Sequence, residues 1–202
     1  SSLVATVCNC DGRWDIGLPP RCPARMFRGV YTPARYAVGD MDIAVICDGY
    51  IKLDAGAVMG LISRVMWEPV IGRENLDTEH RMKLSLNCMV VRSGPDILLV
   101  DTGLGNKLQG AARERGFPGE NGLLMEGLEA LGLAPEDITV VANTHLHADH
   151  CGWNTVRDAA GELRPTFPNA RYFIQKGEFE AASHPNERTR GTYFAENFQP
   201  LV

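Results

Sequence analysis

From Met41 to Cys47 the chain reads Met-Asp-Ile-Ala-Val-Ile-Cys, an alternating run with the two-residue period of a strand. Apolar character resumes from Tyr50 to Leu53, and the Asp48-Gly49 pair between the two runs predicts a hairpin. A second hairpin is predicted where Leu84 to Arg92 faces Asp96 to Val100 across Ser93-Gly94-Pro95, which makes the first part of the fold a meander-like antiparallel sheet. The period then changes. Leu124, Leu128 and Leu131 recur at helical spacing, so a helix is predicted from Asn121, ended by Gly132 and packed on the sheet. It delivers the chain to Ile138-Thr-Val-Val-Ala-Asn143, an apolar, β-branched run that reads as a buried strand. Gly177 to Ser183 predicts a further short helix, stopped before Pro185. Residues 55–80 are less regular; Met59, Met66 and Trp67 within them are read first as core, with a substrate mouth as the alternative.

The stretch 1–40 carries Pro19, Pro20, Pro23 and Pro33 and shows no sustained period, so it reads as an irregular N-terminal extension, with the folded domain spanning 41–202. Met41, where the alternation begins, reads as the ancestral start, with the leader either a translated upstream stretch or an extension. Cys8, Cys10 and Cys22 lie in the leader without a fourth ligand for a zinc knuckle.

With 202 residues and 45% apolar content, the chain is long enough for one ordinary domain with a sizeable core. Its net charge is −5 and its basic residues are scattered, Arg113 and Arg115 being the nearest approach to a cluster, so no nucleic-acid partner is expected. No apolar run reaches membrane-spanning length, and the N-terminus lacks a signal peptide's apolar core, so no membrane association is expected either. None of the six cysteines has a disulfide-framework spacing, which suits a reducing cytoplasm. Cys47 and Cys88 lie in strand-like runs and read as small core residues.

Candidate chemistry is concentrated in one place. Thr144-His-Leu-His-Ala-Asp-His-Cys-Gly152 holds three of the five histidines and a carboxylate just past the predicted strand at 138–143, where open α/β sheets place their sites. Imidazole and carboxylate donors suit zinc and other divalent transition metals. His145 and His147, two apart in an extended stretch, point the same way and are expected to grip one ion, while Leu146 turns inward to anchor the loop. Asp149 and His150 follow after a turn and are expected to hold a second ion, about 3.5–4 Å from the first if the two share a hydroxide. Cys151 is expected to point opposite to His150 if the loop stays extended. The alternative, a chance meeting of ordinary histidines, fits poorly with their spacing.

His145-Leu-His-Ala-Asp-His150 resembles the HxHxDH signature of the metallo-β-lactamase superfamily. Ile97-Leu-Leu-Val-Asp-Thr-Gly103 is similar to that family's strand ending in an Asp-Thr-Gly turn. Cys47-Asp-Gly-Tyr-Ile, Asp101-Thr-Gly-Leu-Gly, Phe167-Pro-Asn-Ala-Arg-Tyr172, Ser183-His-Pro-Asn-Glu-Arg188 and Asn197-Phe-Gln-Pro200 resemble the branch holding acyl-homoserine lactonases and methyl-parathion-hydrolase-like enzymes. The resemblance covers about residues 41 to 202. It implies an α/β fold, the metallo-β-lactamase αβ/βα sandwich, of which the first half and the start of the second are present. It implies one or two zinc ions on His145, His147, Asp149 and His150, with Asp101 behind the metal loop. The implied activity is hydrolysis of a small-molecule lactone or ester, or of an organophosphate, by a hydroxide activated at the metal, with Asp149 orienting as well as ligating.

That family completes its site with a third histidine, a bridging aspartate and one more histidine, all downstream of the segment that ends at Val202, and no residue here matches them. The only later histidine, His184, lies where the family has a loop, and reads as solvated. The chain therefore resembles a member truncated at its C-terminus. Half a sandwich leaves a sheet face to cover, so a homo-oligomer or a companion C-terminal fragment is expected. Two alternatives stand beside the hydrolase: a weakly metal-binding or non-catalytic protein that oligomerises, and a nuclease of the same superfamily, which would need a basic groove.

Overall fold

The longest strand, β2 (Met41–Asp54), runs through the point where a hairpin is predicted. In this computed structural model, which describes residues 33–110, 114 and 116–202, Asp48 and Gly49 are buried rather than exposed at a turn. Their carboxylate and backbone are used inside the protein, and the strand absorbs them as an irregularity in register between Cys47 and Tyr50. Gly49 has φ +122 and lies against the next strand over, where a Cβ would sit 2.0 Å from the Glu120 carbonyl oxygen.

Residues 34–38, inside the stretch expected to be irregular, form β1 (Ala34–Val38), which pairs antiparallel with β2 around a turn at Gly39-Asp40. Local alternation in Ala-Arg-Tyr-Ala-Val is weak, and the partner strand supplies the order. Cys8, Cys10, Cys22, Arg113 and Arg115 lie outside the described residues.

After β2 come two short helices, α1 (Ala55–Met59) and α2 (Arg64–Ile71). Trp67 is buried on α2, as core packing requires, but Met66 is 68% exposed and Met59 only half-buried. The predicted pairing of the next two strands is present: β3 (Arg81–Ser93) and β4 (Asp96–Val100) turn at Gly94. A short β5 (Gly119–Asn121) adds to β2. Because Asn121 is paired there, the following helix, α3 (Leu124–Glu129), begins later than the leucine spacing predicts. It ends as expected, with Gly132 at φ +69 and the Leu133 N–H donating to the Leu128 carbonyl.

From α3 the chain enters β6 (Val140–Ala142), which lies parallel to β4, and after a one-turn helix α4 (Ala148–Cys151) it forms a small hairpin of β7 (Thr155–Arg157) and β8 (Leu163–Pro165). Strand β9 (Arg171–Phe173) pairs parallel with β6, and α5 (Lys176–Ser183) follows. The main sheet has the order β1-β2-β3-β4-β6-β9 with β5 beside β2, antiparallel at one side and parallel at the other.

One face of this sheet carries Ala44, Ile46, Cys88, Val90, Leu99 and Val141, which form the main core with Leu124, Leu128, Trp153 and Phe167. Strand pairing aligns the opposite face in two rows: Ile43, Val91, Leu98 and Val140, then Val45, Met89, Val100, Ala142 and Phe173. These side chains are apolar and mostly half-buried, Phe173 being 52% exposed, and none belongs to a core cluster among the described residues. A sheet apolar on both faces is built to be covered on both. The α/β expectation thus holds for the architecture.

Candidate metal centre

Two loops meet at the carboxyl ends of β4 and β6. The first begins with Asp101, whose N–H still donates to the Ala142 carbonyl but whose φ is +59, a left-handed backbone that a non-glycine residue adopts at a cost. This turn aims the carboxylate into the second loop. Asp101 Oδ1 accepts the Thr144 N–H at 2.8 Å, and Oδ2 faces both the Thr144 hydroxyl and His150 Nδ1, each at 2.8 Å.

The second loop leaves β6 at Asn143. Leu146 is 1% exposed and sits in a small apolar cluster with Cys151, Ala182 and Phe198, so the residues on either side of it are turned the other way. His145 and His147 are brought together there, with ring centroids 4.6 Å apart. His147 caps α4, which carries Asp149 and His150 on one helical turn rather than on the extended loop assumed from the sequence. That turn brings His150 back over His145, with centroids 3.9 Å apart, and leaves its Nε2 3.6 Å from Asp149 Oδ2. It also sends Cys151 into the core, where Sγ lies 3.3 Å from the Leu146 and His147 carbonyls and burial pushes the thiol up to about 12. Cys151 is not a donor to the cluster. His184 is exposed at the end of α5, with its Nδ1 3.3 Å from the Glu180 carbonyl oxygen.

The rings differ electrically. Burial, and then the charges of His150 and His147, lower the pKa of His145. Burial would lower that of His150 too, but its bond to Asp101 and the nearby Asp149 charge outweigh burial and raise it. A carboxylate on Nδ1 is the arrangement that fixes the tautomer of a metal-ligating histidine and leaves Nε2 to the metal. Donor chemistry and support therefore fit a zinc-type ion. The set is incomplete: among the described residues no three His, Cys, Asp or Glu side chains close on one point as a ready-made site.

Sequence reasoning missed four supporting residues. Asp48, read as a turn, is wholly buried and its carboxylate accepts from the backbones of Leu104, Gly105 and Leu124 and from the Trp153 indole. It ties β2 to the Asp101 loop, to α3 and to the residues after α4. Burial raises its pKa against the pull of those donors. Lys107 donates to the Gly152 and Thr155 carbonyls behind α4, and burial lowers its pKa to about 8. Asn154 donates to the Asn143 side-chain oxygen and accepts from the Thr102 hydroxyl beneath the loop. Glu178 on α5 accepts the Leu146 N–H at 2.8 Å. Of the four only Asp48 carried a sequence signal: its Asp-Gly pair pointed to a turn, and the resemblance of Cys47-Asp-Gly-Tyr-Ile assigned it no role.

A model of the metallo-beta-lactamase superfamily matches residues 83–162, which include all of the site residues above except Asp48 and Glu178. An N-acyl homoserine lactonase of Agrobacterium fabrum is 35% identical over 74 residues, 37% of this chain and 24% of the relative. A Bacillus N-acyl homoserine lactonase is 28% identical over 121 residues, 52% of this chain and 42% of the relative. Among solved structures, a probable metal-dependent hydrolase from Staphylococcus aureus superimposes with a TM-score of 0.72 at 28% identity, covering 80% of this chain and 56% of that one. A dizinc quorum-quenching lactonase in complex with an N-hexanoyl homoserine product shares the fold, with a TM-score of 0.61 at 24% identity, covering 84% and 57%. The chain thus spans less than half the length of these curated relatives and little more than half of the solved ones.

Proposed function

We propose that this chain, whose residues 83–162 match a metallo-beta-lactamase superfamily model, is a metal-dependent hydrolase of small lactones and related esters, with organophosphates as a secondary class. The observation that carries the reading is Asp101 seated on Nδ1 of His150 beneath three clustered imidazoles. His145 and His147 hold one ion, Asp149 and His150 a second, zinc being the best match to the donors. When bound, such ions supply an ionised nucleophile near neutral pH and polarise the carbonyl under attack.

The protein's own part is positioning. Asp101 keeps the His150 proton on Nδ1, and Asp149, beside His150 Nε2, orients the attacking water while it ligates. Because this stretch gives each ion only two ligands, binding is weaker than at a four-ligand site, and water or a neighbouring chain fills the remainder. The lactonase relatives favour a lactone over a phosphodiester, and the net charge of −5 disfavours a nucleic-acid groove.

Association belongs to the same reading. The two apolar rows on the second sheet face are suited to a further copy or to a companion segment, which also brings ligands toward the incomplete site. No helix among the described residues is long and apolar enough to cross a membrane. Cys47 is disulfide-bonded, so the proposed cytoplasmic location draws no support from it.

A substrate panel tests the activity. Zinc-loaded protein is incubated with an acyl-homoserine lactone, an aryl ester, a phosphotriester and single-stranded RNA. Zinc-dependent opening of the lactone or ester, lost in His145→Ala, is expected. Cleavage of RNA alone transfers the protein to the nuclease reading, and no turnover with any substrate supports the non-catalytic one.

A further inference from the structure

Two carboxylates grip the histidine loop, and only one of them touches a histidine. On the far side from Asp101, Glu178 Oε1 accepts the N–H of Leu146, the residue between His145 and His147. Glu178 is itself held, because its backbone N–H donates to the Gln175 side chain that caps α5. Beside it passes the segment Thr192-Tyr193. The Thr192 carbonyl accepts the Ala148 N–H at 2.8 Å, His147 and Tyr193 form an isolated antiparallel bridge, and the Tyr193 ring lies 5.0 Å from the His147 ring, tilted by 60°. The phenol is next to the Glu178 carboxylate; burial first, and that charge second, raise its pKa.

We infer that Glu178 and Tyr193 are positioning residues for His147: the carboxylate fixes the peptide between the two histidines, and the tyrosine ring fixes the imidazole that follows. The geometry gives each a separate task. Leu146 is buried, so the direction of its N–H sets which way the flanking side chains leave the backbone, and Glu178 supplies the acceptor that holds this direction. His147 has no carboxylate among the contacts described for its ring, unlike His150, and its orientation is set by the Tyr193 face instead. This half of the loop thereby receives outer support equivalent to what Asp101 gives the other half. The inference rests on the reading of His147 as a ligand.

Zinc affinity, measured by competition with a chromophoric chelator, and the His147 ring Cε1–H chemical shift in metal-free protein together test it. Glu178→Ala is expected to weaken zinc binding roughly 10–100-fold and to move the ring signal. Glu178→Gln keeps an oxygen for the Leu146 N–H and recovers most of the affinity. Tyr193→Phe is expected to hold the ring signal and Tyr193→Leu to shift it, so the inference remains testable if Glu178→Ala does not fold. Parent-like affinity with an unmoved ring signal in Glu178→Ala or Tyr193→Leu overturns the inference, as does equal loss in Glu178→Gln and Glu178→Ala. If the parent binds no more zinc than a His145→Ala, His147→Ala double variant, the metal reading fails instead, and the metal-free ring signal still decides the roles of Glu178 and Tyr193.

Discussion

Asp101 shows what a single residue contributes. Its left-handed backbone costs energy that a glycine would not incur, yet only a carboxylate there reaches the Thr144 N–H, the Thr144 hydroxyl and His150 Nδ1 together. Replacing it by alanine is expected to lower zinc affinity about 10–100-fold while unfolding stays cooperative. Unchanged affinity by calorimetry would make Asp101 a turn-former only. Asp48 acts on stability instead: Asp48→Ala strands four buried donors, each worth roughly 1–3 kcal/mol when left unsatisfied, and denaturant unfolding should show a loss of at least about 3 kcal/mol. A loss below about 1 kcal/mol would mean that water replaces the carboxylate.

Lys107 gives a pH signature. Its folded pKa, about 8, lies below the ordinary 10.5, so between these values the unfolded chain binds more protons and stability rises with pH. The stability of the parent minus that of Lys107→Met should increase between pH 8 and 10.5 by at most about 3 kcal/mol. A flat or falling difference contradicts the charged, buried ammonium. The histidines and Asp149 were legible because ligand types recur at fixed spacing in one run, and Asp101 through the resemblance of Ile97–Gly103 to a family strand that ends in an Asp-Thr-Gly turn. Asp48, Lys107, Asn154 and Glu178 were not, because each acts on backbone groups brought close only by folding.

At the level of elements, the strand and helix periods located β3, β4, β6, α3 and α5 to within a few residues, but the Asp48-Gly49 pair misled. Turn chemistry and a buried irregularity use the same residues, and only the four donors waiting for Asp48 decide between them. The one-turn helix α4 was equally hidden, since four residues cannot display a period. Its placement depends on a close crossing: the Gly152 N–H donates to the Gly103 carbonyl, and a Cβ on Gly152 would lie 2.0 Å from the Leu104 carbonyl. Gly152→Ala should therefore push the Asp101 loop from the histidine loop, costing about 1–3 kcal/mol and lowering zinc affinity. Parent-like stability and affinity would show that the two loops do not need this contact.

For the whole molecule, the second face of the sheet carries apolar rows that no core cluster among the described residues takes up. Every 100 Å² of apolar surface removed from water contributes about 2.5 kcal/mol, so the two rows from Ile43 to Val140 and from Val45 to Phe173 favour association. Sedimentation at micromolar concentration should show a species larger than 22.1 kDa, and Met89→Lys, in the middle of one row, should shift it toward monomer. A parent that remains monomeric would show that the rows are already covered well enough. The sequence led to the expectation of a face to cover only through family resemblance; the register that aligns the rows is a property of the folded sheet.

His145 and His147 on the loop after β6, with Asp149 and His150 on α4, are proposed to hold transition metal. Zinc titration of the metal-free protein in the presence of a competing chelator measures this directly, beside the His145→Ala, His147→Ala double variant. One or two zinc ions bound by the parent, with marked loss in the double variant, is the predicted result, and equal uptake by the two proteins would contradict it.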